Sequence, residues 1–375
     1  MKIKKKIIIY PNPRNKIKIN THHGVCGFFL NKYLLKYYDI IPTEALRWIS
    51  KSGGVGPGTK QSNLLNFAQK AHELGASHVI STQQRGFTKI FKKLSSSDIG
   101  KIRKRNKGVS FCSVHDHSGH RKFAEDVLFV ALPFDEKRRR QMLKESETKL
   151  IHTGWCADHA IFNDNKNKHG DLNIVLDHAA LQGFRADATS LYVKQIKKLK
   201  KNYPKKEINL CRIKGGFEFF DFKRDGWTHD LKNRWWKSKY DDGWKNDSRC
   251  HIFQIAECLN DSHIFCTTHV ESCGLTGIEA LMSGCKVYIP RGKDTFNMWG
   301  SGGKMGSYEG PFLKSALLKP YMDYSIFNFN NPQQCYKLFK RDIDIYKVKY
   351  NRKLLIEKNS WKAAAKQIYL GLESK

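Results

Sequence analysis

The chain has 375 residues, 40% of them hydrophobic, with 67 Lys and Arg against 35 Asp and Glu, for a formal net charge of +32. That length and apolar content suit about two packed domains rather than a disordered chain, and no apolar run approaches the roughly 18 residues of a membrane span. The excess of cations selects polyanionic partners: nucleic acid, an anionic membrane surface or an acidic glycan.

The opening stretch, Met1-Lys-Ile-Lys-Lys-Lys-Ile-Ile-Ile-Tyr10, is basic and then apolar. Its apolar part is too short for a secretory leader, so it reads as a first buried strand over 3–10. The segment 21–27 reads as a turn into a helix over 28–36. A Gly-rich loop occupies 52–59, and 63–74 reads as a helix with Gly75 as its C-cap. Strands are predicted over 77–81, 107–114 and 127–132, the second ending at His115-Asp-His-Ser-Gly-His120. The second half repeats the pattern. It has strands over 172–177, 208–213 and 263–267, helices over 188–200 and 252–259, and then a helix over 275–282 that Gly284 ends. A strand over 286–290 follows, and 351–372 reads as an amphipathic helix. Strands alternating with helices argue for parallel sheets covered on both faces. Ten cysteines are scattered singly with no C-x-x-C. They read as buried thiols in a reducing compartment, so the cytoplasm is expected, or the host cytoplasm if the chain is viral.

The stretch Glu271-Ser-Cys-Gly-Leu-Thr-Gly-Ile-Glu279 carries the chemistry. It places Glu271 at the C-terminal end of a strand and Glu279 about one turn into the next helix. In an open α/β sheet, ligands bind at that edge. The backbone N–H groups of Gly274 to Gly277 would form an anion site at the helix N-terminus. Carboxylates on either side accept hydrogen bonds from hydroxyls, so a diphosphate bearing a sugar fits the pattern.

The fuller string from Thr268 to Val287 resembles the E-x7-E signature of retaining glycosyltransferases with the GT-B fold. The resemblance implies an α/β protein of two Rossmann-like domains facing a cleft, with a C-terminal helix crossing back to the first. It divides the chain into an acceptor-side domain over 1–150, a nucleotide-sugar domain over 151–350 and a returning helix over 351–375. The segment 149–162 looks like that family's interdomain crossing, and the string from Ser360 to Ile368 looks like its returning helix. The implied activity is retaining hexosyl transfer from a nucleotide-diphosphate sugar, such as a UDP-sugar, with no metal or other cofactor required. Glu271 would bond the donor's ring hydroxyls and Glu279 its ribose, while the amides of Gly274, Leu275 and Thr276 face the sugar and diphosphate. Arg185, after the strand ending at Asp177, and Lys214, after the next strand, are the expected phosphate partners. His115 and Asp116 resemble the family's pair that meets the donor sugar from the first domain.

Gly24, Gly27 and His117 are placed on loops facing the acceptor. His115-Asp-His-Ser-Gly-His120 also reads as H-x-H-x-x-H, but Gly119 stands where a dinuclear metal site has Asp. Asp241-Asp242 reads as a solvated pair, Trp299 to Gly306 as a mobile lid, and the Trp-rich 227–244 segment carries no assigned site. For the acceptor, the charge selects DNA with hydroxylated bases, as for phage DNA-modifying members, and a flipped-out base would be needed in a duplex. A second reading is an envelope glycan or lipid at an anionic membrane surface. A third is a non-catalytic, nucleic-acid-binding protein on the same scaffold.

Overall fold

The computed structural model describes residues 4–10, 22–41, 71–82, 109–115, 126–130, 149–153, 156–164, 168–177, 188–214, 216–238, 251–268, 275–291, 324–328, 330–348 and 351–374. The chain divides into two compact units, 1–154 with 361–375, and 155–360.

In the first unit six strands form a parallel sheet: β1 (Lys6–Tyr10), β2 (Asp39–Ile41), β3 (Ala76–Ser81), β4 (Ser110–His115), β5 (Val127–Val130) and β6 (Lys149–His152). Their order is β2-β1-β3-β4-β5-β6. Ile7, Ile8 and Ile9 are all fully buried. A run of β-branched residues covered on both faces is what a central parallel strand requires. Helix α1 (His22–Leu34) joins β1 to β2. From residue 22 on, the turn expected over 21–27 is helical, and Gly24 and Gly27 lie within α1 rather than on an acceptor loop. Val25, Cys26, Phe29, Leu30 and Leu34 form one buried face. Burying that face outweighs the cost of about 1 kcal/mol for each helical glycine. The segment 149–152, expected as part of an interdomain crossing, is an edge strand paired with β5.

The second unit holds a seven-stranded sheet ordered β10-β9-β8-β7-β11-β12-β13. Its strands are β7 (Leu172–Leu176), β8 (Ile208–Lys214), β9 (Gly216–Asp221), β10 (Gly226–Thr228), β11 (Ile264–Cys266), β12 (Lys286–Arg291) and β13 (Tyr324–Asn328). The helices are α2 (Thr189–Asn202), α3 (Ile252–Asn260), α4 (Leu275–Met282), α5 (Pro332–Asp344) and α6 (Arg352–Asn359), and α7 (Trp361–Glu373) returns to the first unit. Leu172, Ile174, Leu176, Tyr192, Ile196, Leu199, Ile264 and Phe339 build one core between α2, α5 and the sheet.

Strand β8 does not lead into a helix. It pairs antiparallel with β9, and β9 with β10. The string Gly-Phe-Glu-Phe-Phe-Asp over 216–221 has the aromatic content that favours strand. The turn after it is built by Asp221, whose carboxylate accepts from the amides of Lys223 and Arg224, and by Asp225 with φ of 53°. Lys214, expected just beyond a strand, is the last residue of β8 and is registered against Gly216.

The tail is not one helix. Asn351 caps α6 by accepting from the Leu354 amide, and the chain breaks at Ser360, which is extended (φ −101°, ψ 154°) and bridges to Ala157. The change of unit thus falls at 360/361 rather than at 351. In α7, Trp361 stacks on Phe29, Tyr369 stacks on Tyr37, and Glu373 takes bonds from Lys5 and Tyr38. Gly371 passes so close to β6 that a Cβ there would run into Ile151.

Candidate functional site

Strand order locates the crevice of the second sheet. From β7 the chain moves through α2 to β8 on one side, and later strands return to β11 on the other side. The direction of winding therefore reverses between β7 and β11. At such a switch point the loops leaving the two strands diverge and open a crevice at their carboxyl ends.

Hydrogen bonds fix that edge. The Asp177 amide donates to the Cys266 carbonyl, and the Thr268 hydroxyl donates to the Asp177 carbonyl. The Ala188 amide donates to the Thr268 carbonyl, which ties the start of α2 to the end of β11. The Thr267 amide and hydroxyl both donate to the Tyr288 carbonyl on β12. Asp177, Thr267 and Thr268 were not expected as site residues. An acidic residue closing a fully buried strand, as Asp177 closes Leu172–Leu176, is the signal that would have found it.

Helix α4 begins at Leu275, as the sequence predicts, and Thr276 is half-buried at its second position. Gly277, Ile278, Glu279, Ala280, Leu281 and Met282 are all buried. The helix ends on Gly284, with φ of 73°. The Cys285 amide reaches the Ala280 carbonyl and the Gly284 amide the Leu281 carbonyl, the paired closure that a left-handed glycine permits. A Cβ at Gly284 would also collide with Asp164.

Glu279 is 4% exposed. Burial, with the nearby Asp177 carboxylate adding to it, pushes its pKa up to about 8. Two carboxyl groups thus share the β7/α4 side of the crevice, and Glu279 is largely un-ionised at neutral pH. A neutral carboxyl both donates and accepts, which suits the paired hydroxyls of a ribose.

Of the other expected site residues, His115 is the final residue of β4, at the carboxyl edge of the first sheet and in register with Val130. Glu271, Gly274, Arg185, Asp116 and His117 lie outside the described residues, as do the 52–59 loop, Asp241-Asp242 and the 299–306 segment. Among the described residues no cluster of three or more His, Cys, Asp or Glu could hold a metal, and no helix is long and apolar enough to cross a membrane. The described cysteines are buried free thiols.

The architecture is α/β, one unit built on a parallel sheet and the other on a parallel sheet extended by an antiparallel hairpin, a fold of the GT-B kind. Of the chain, 99% aligns with the whole of a glycosyltransferase from Rickettsia africae ESF-5, at 12% identity and a TM-score of 0.55. The same share aligns with the whole of Anabaena Alr3699/HepE, in its complex with UDP-glucose at 10% identity and a TM-score of 0.53. For the complex of that protein with UDP and glucose the values are 9% and 0.51. No protein-family model matches the sequence, and no curated protein matches it.

Proposed function

We propose that the chain is a retaining glycosyltransferase that moves a hexose from a nucleotide-diphosphate sugar to a polyanionic acceptor. The observation that carries the reading is the position of the second motif glutamate. Glu279 is buried beside Asp177 in the helix that opens from the switch point of the second sheet. Fold likeness to a protein solved with UDP-glucose supports the choice of donor.

In this reading Glu279 holds the ribose. The amides of Gly274, Leu275 and Thr276 face the diphosphate and stabilise the charge that develops as it leaves. Glu271 bonds the hydroxyls of the donor sugar, and Arg185 and Lys214 neutralise phosphate. His115, with Asp116 as its orienting partner, contacts the donor sugar. The bond from the anomeric carbon to the β-phosphate oxygen breaks as the acceptor oxygen bonds to the same face of that carbon. The acceptor's proton passes to the departing phosphate. Retention then needs no pair of carboxylates about 5 Å apart, as a retaining glycosidase does. No metal or further cofactor is used. The acceptor is DNA carrying hydroxylated bases, supported by the net charge of +32. The buried thiols suit a reducing cytoplasm.

Glu271→Ala and His115→Ala are each expected to lower donor-dependent UDP release by roughly 100-fold or more, with the circular dichroism spectrum unchanged. Unchanged turnover in folded variants would remove these residues from the site.

A further inference from the structure

The antiparallel hairpin β9–β10 lies outside the parallel core of the second sheet, and the reading above gives it no task. Between it and α2 lies a cavity of about 390 Å³. Its walls carry Thr189, Ser190, Lys194 and Lys197 from α2, Arg212 from β8 and Trp227 from β10.

The cations are arranged rather than scattered. Arg212 is fixed by Glu218 through its Nε, and its guanidinium lies 4.2 Å from the centre of the Trp227 ring. That leaves its Nη donors without a partner among the described residues. A planar guanidinium held in this way is suited to bidentate contact with phosphate. Lys197 bonds Asp225 at 2.6 Å and so latches the hairpin tip to α2. Lys194 is exposed and has no partner among the described residues. The lining residues Lys194 and Lys197 belong to a stripe along α2 in which Lys194, Lys197, Lys198 and Lys201 are all exposed at helical spacing. Among the described residues, Glu218 and Asp225 are the acidic groups that bond the lining Arg212 and Lys197.

We infer that this groove binds the phosphodiester backbone of a nucleic acid, with one phosphate on Arg212 and Lys194 and the next ones along the α2 lysines. The inference rests on the polyanionic-acceptor reading above, but not on the donor site. A lipid surface fits the groove less well. Membrane docking of a basic helix needs an apolar face beside the charges. The large exposed hydrophobics among the described residues are Leu35, Leu231, Ile345 and Leu370, and none is on α2.

The test compares two doubly charge-reversed full-length chains of equal net charge, K194E/K201E on α2 and K353E/K358E on α6. Both pairs are exposed, so the fold should tolerate the changes. Affinity for a 20-base-pair DNA duplex is measured from 50 to 300 mM salt, and binding to phosphatidylserine vesicles is measured alongside. The α2 variant is expected to bind DNA roughly tenfold or more weakly at 0.1 M salt, with a log–log salt slope shallower by about 2. The α6 variant should lose under about threefold. Equal losses in both variants would mean that charge alone acts and would overturn the groove. So would unchanged DNA binding by K194E/K201E, and so would a loss confined to vesicles, which would make the surface a membrane site. UDP release by the unaltered protein reads the transferase assignment separately. A protein that binds DNA through α2 yet releases no UDP with any donor would keep the groove and lose the enzyme.

Discussion

Alanine at Asp342 is expected to lower the melting temperature of the second unit by about 10 °C. Asp342 is 1% exposed on α5, and Lys286 on β12 is 4% exposed. Their ion pair is 2.5 Å long, the Tyr288 hydroxyl donates to the other carboxylate oxygen, and Arg341 bonds the same group from its own helix. Removing the carboxylate leaves an ammonium and a phenol buried with no anion to hold them. Breaking one side of a buried pair costs about 3–5 kcal/mol, and in a unit of this size each kcal/mol moves the transition by about 2–4 °C. The pH dependence follows from the same contacts. Burial by itself would raise the pKa of Asp342, but the bonds from Arg341, Lys286 and Tyr288 outweigh it and hold the group below its ordinary 3.8. A depressed folded-state pKa stabilises above the unfolded value, and that stability is lost as the pH falls through the folded value. Wild type should therefore lose stability on acidification below about pH 4, while the alanine variant shows less of that loss. Thermal melts from pH 3 to 8 measure both. A melting temperature within about 2 °C of wild type at pH 7 would contradict the account.

Glutamine at Glu279 is expected to stabilise the protein and to weaken donor binding. The pKa of Glu279 lies near 8 in the folded chain against an ordinary 4.5, so folded protein holds a proton that unfolded protein releases between those values. That linkage makes stability fall as the pH rises from about 4.5 to about 8. Glutamine keeps the shape of the neutral acid and removes the linkage. A gain of roughly 4 kcal/mol is expected at pH 8, shrinking towards zero at pH 4.5. On the proposed reading the same change replaces a carboxyl oxygen that can accept from a ribose hydroxyl with an amide nitrogen that only donates, and the lost bond weakens affinity by about tenfold. Melts at pH 4.5 and 8, paired with UDP titration by calorimetry, separate the effects. Stability rising with pH in wild type, or unaltered UDP affinity in the variant, would contradict the placement of Glu279. Stability given up to keep a polar group in a site is the usual exchange between function and folding.

Around the crevice the sequence was legible because pattern and context agree there. Lys286–Arg291 is a strand and Leu275–Met282 a helix closed by Gly284, all as the periodicity indicates. The elements that were misread or missed are those in which tertiary burial overrides local signals. Gly24 and Gly27 look like a turn, but the buried stripe from Val25 to Leu34 makes them helical. The β9–β10 hairpin follows a strand where alternation predicts a helix, and only the aromatic string and the Asp221 turn mark it. The break at Ser360 has no proline or glycine to announce it. It exists because Asn359 and Ser360 meet Ala157, a partner some 200 residues away in the chain. Asp342, absent from any motif, becomes legible only once β12 and α5 are packed together. The pairing of Asp177 with Glu279 likewise depends on β7 lying beside β11, and strand order cannot be read from spacing.

The central claim is transfer from a nucleotide sugar, and the most direct measurement is nucleotide diphosphate release. The purified chain is incubated with a panel of UDP-, GDP- and ADP-sugars, with and without hydroxymethylated DNA. The account predicts release with at least one donor, increased by the modified DNA and lost in Glu271→Ala. Release with no donor, from folded protein under any of these conditions, would contradict it and leave a nucleic-acid-binding protein on a glycosyltransferase scaffold.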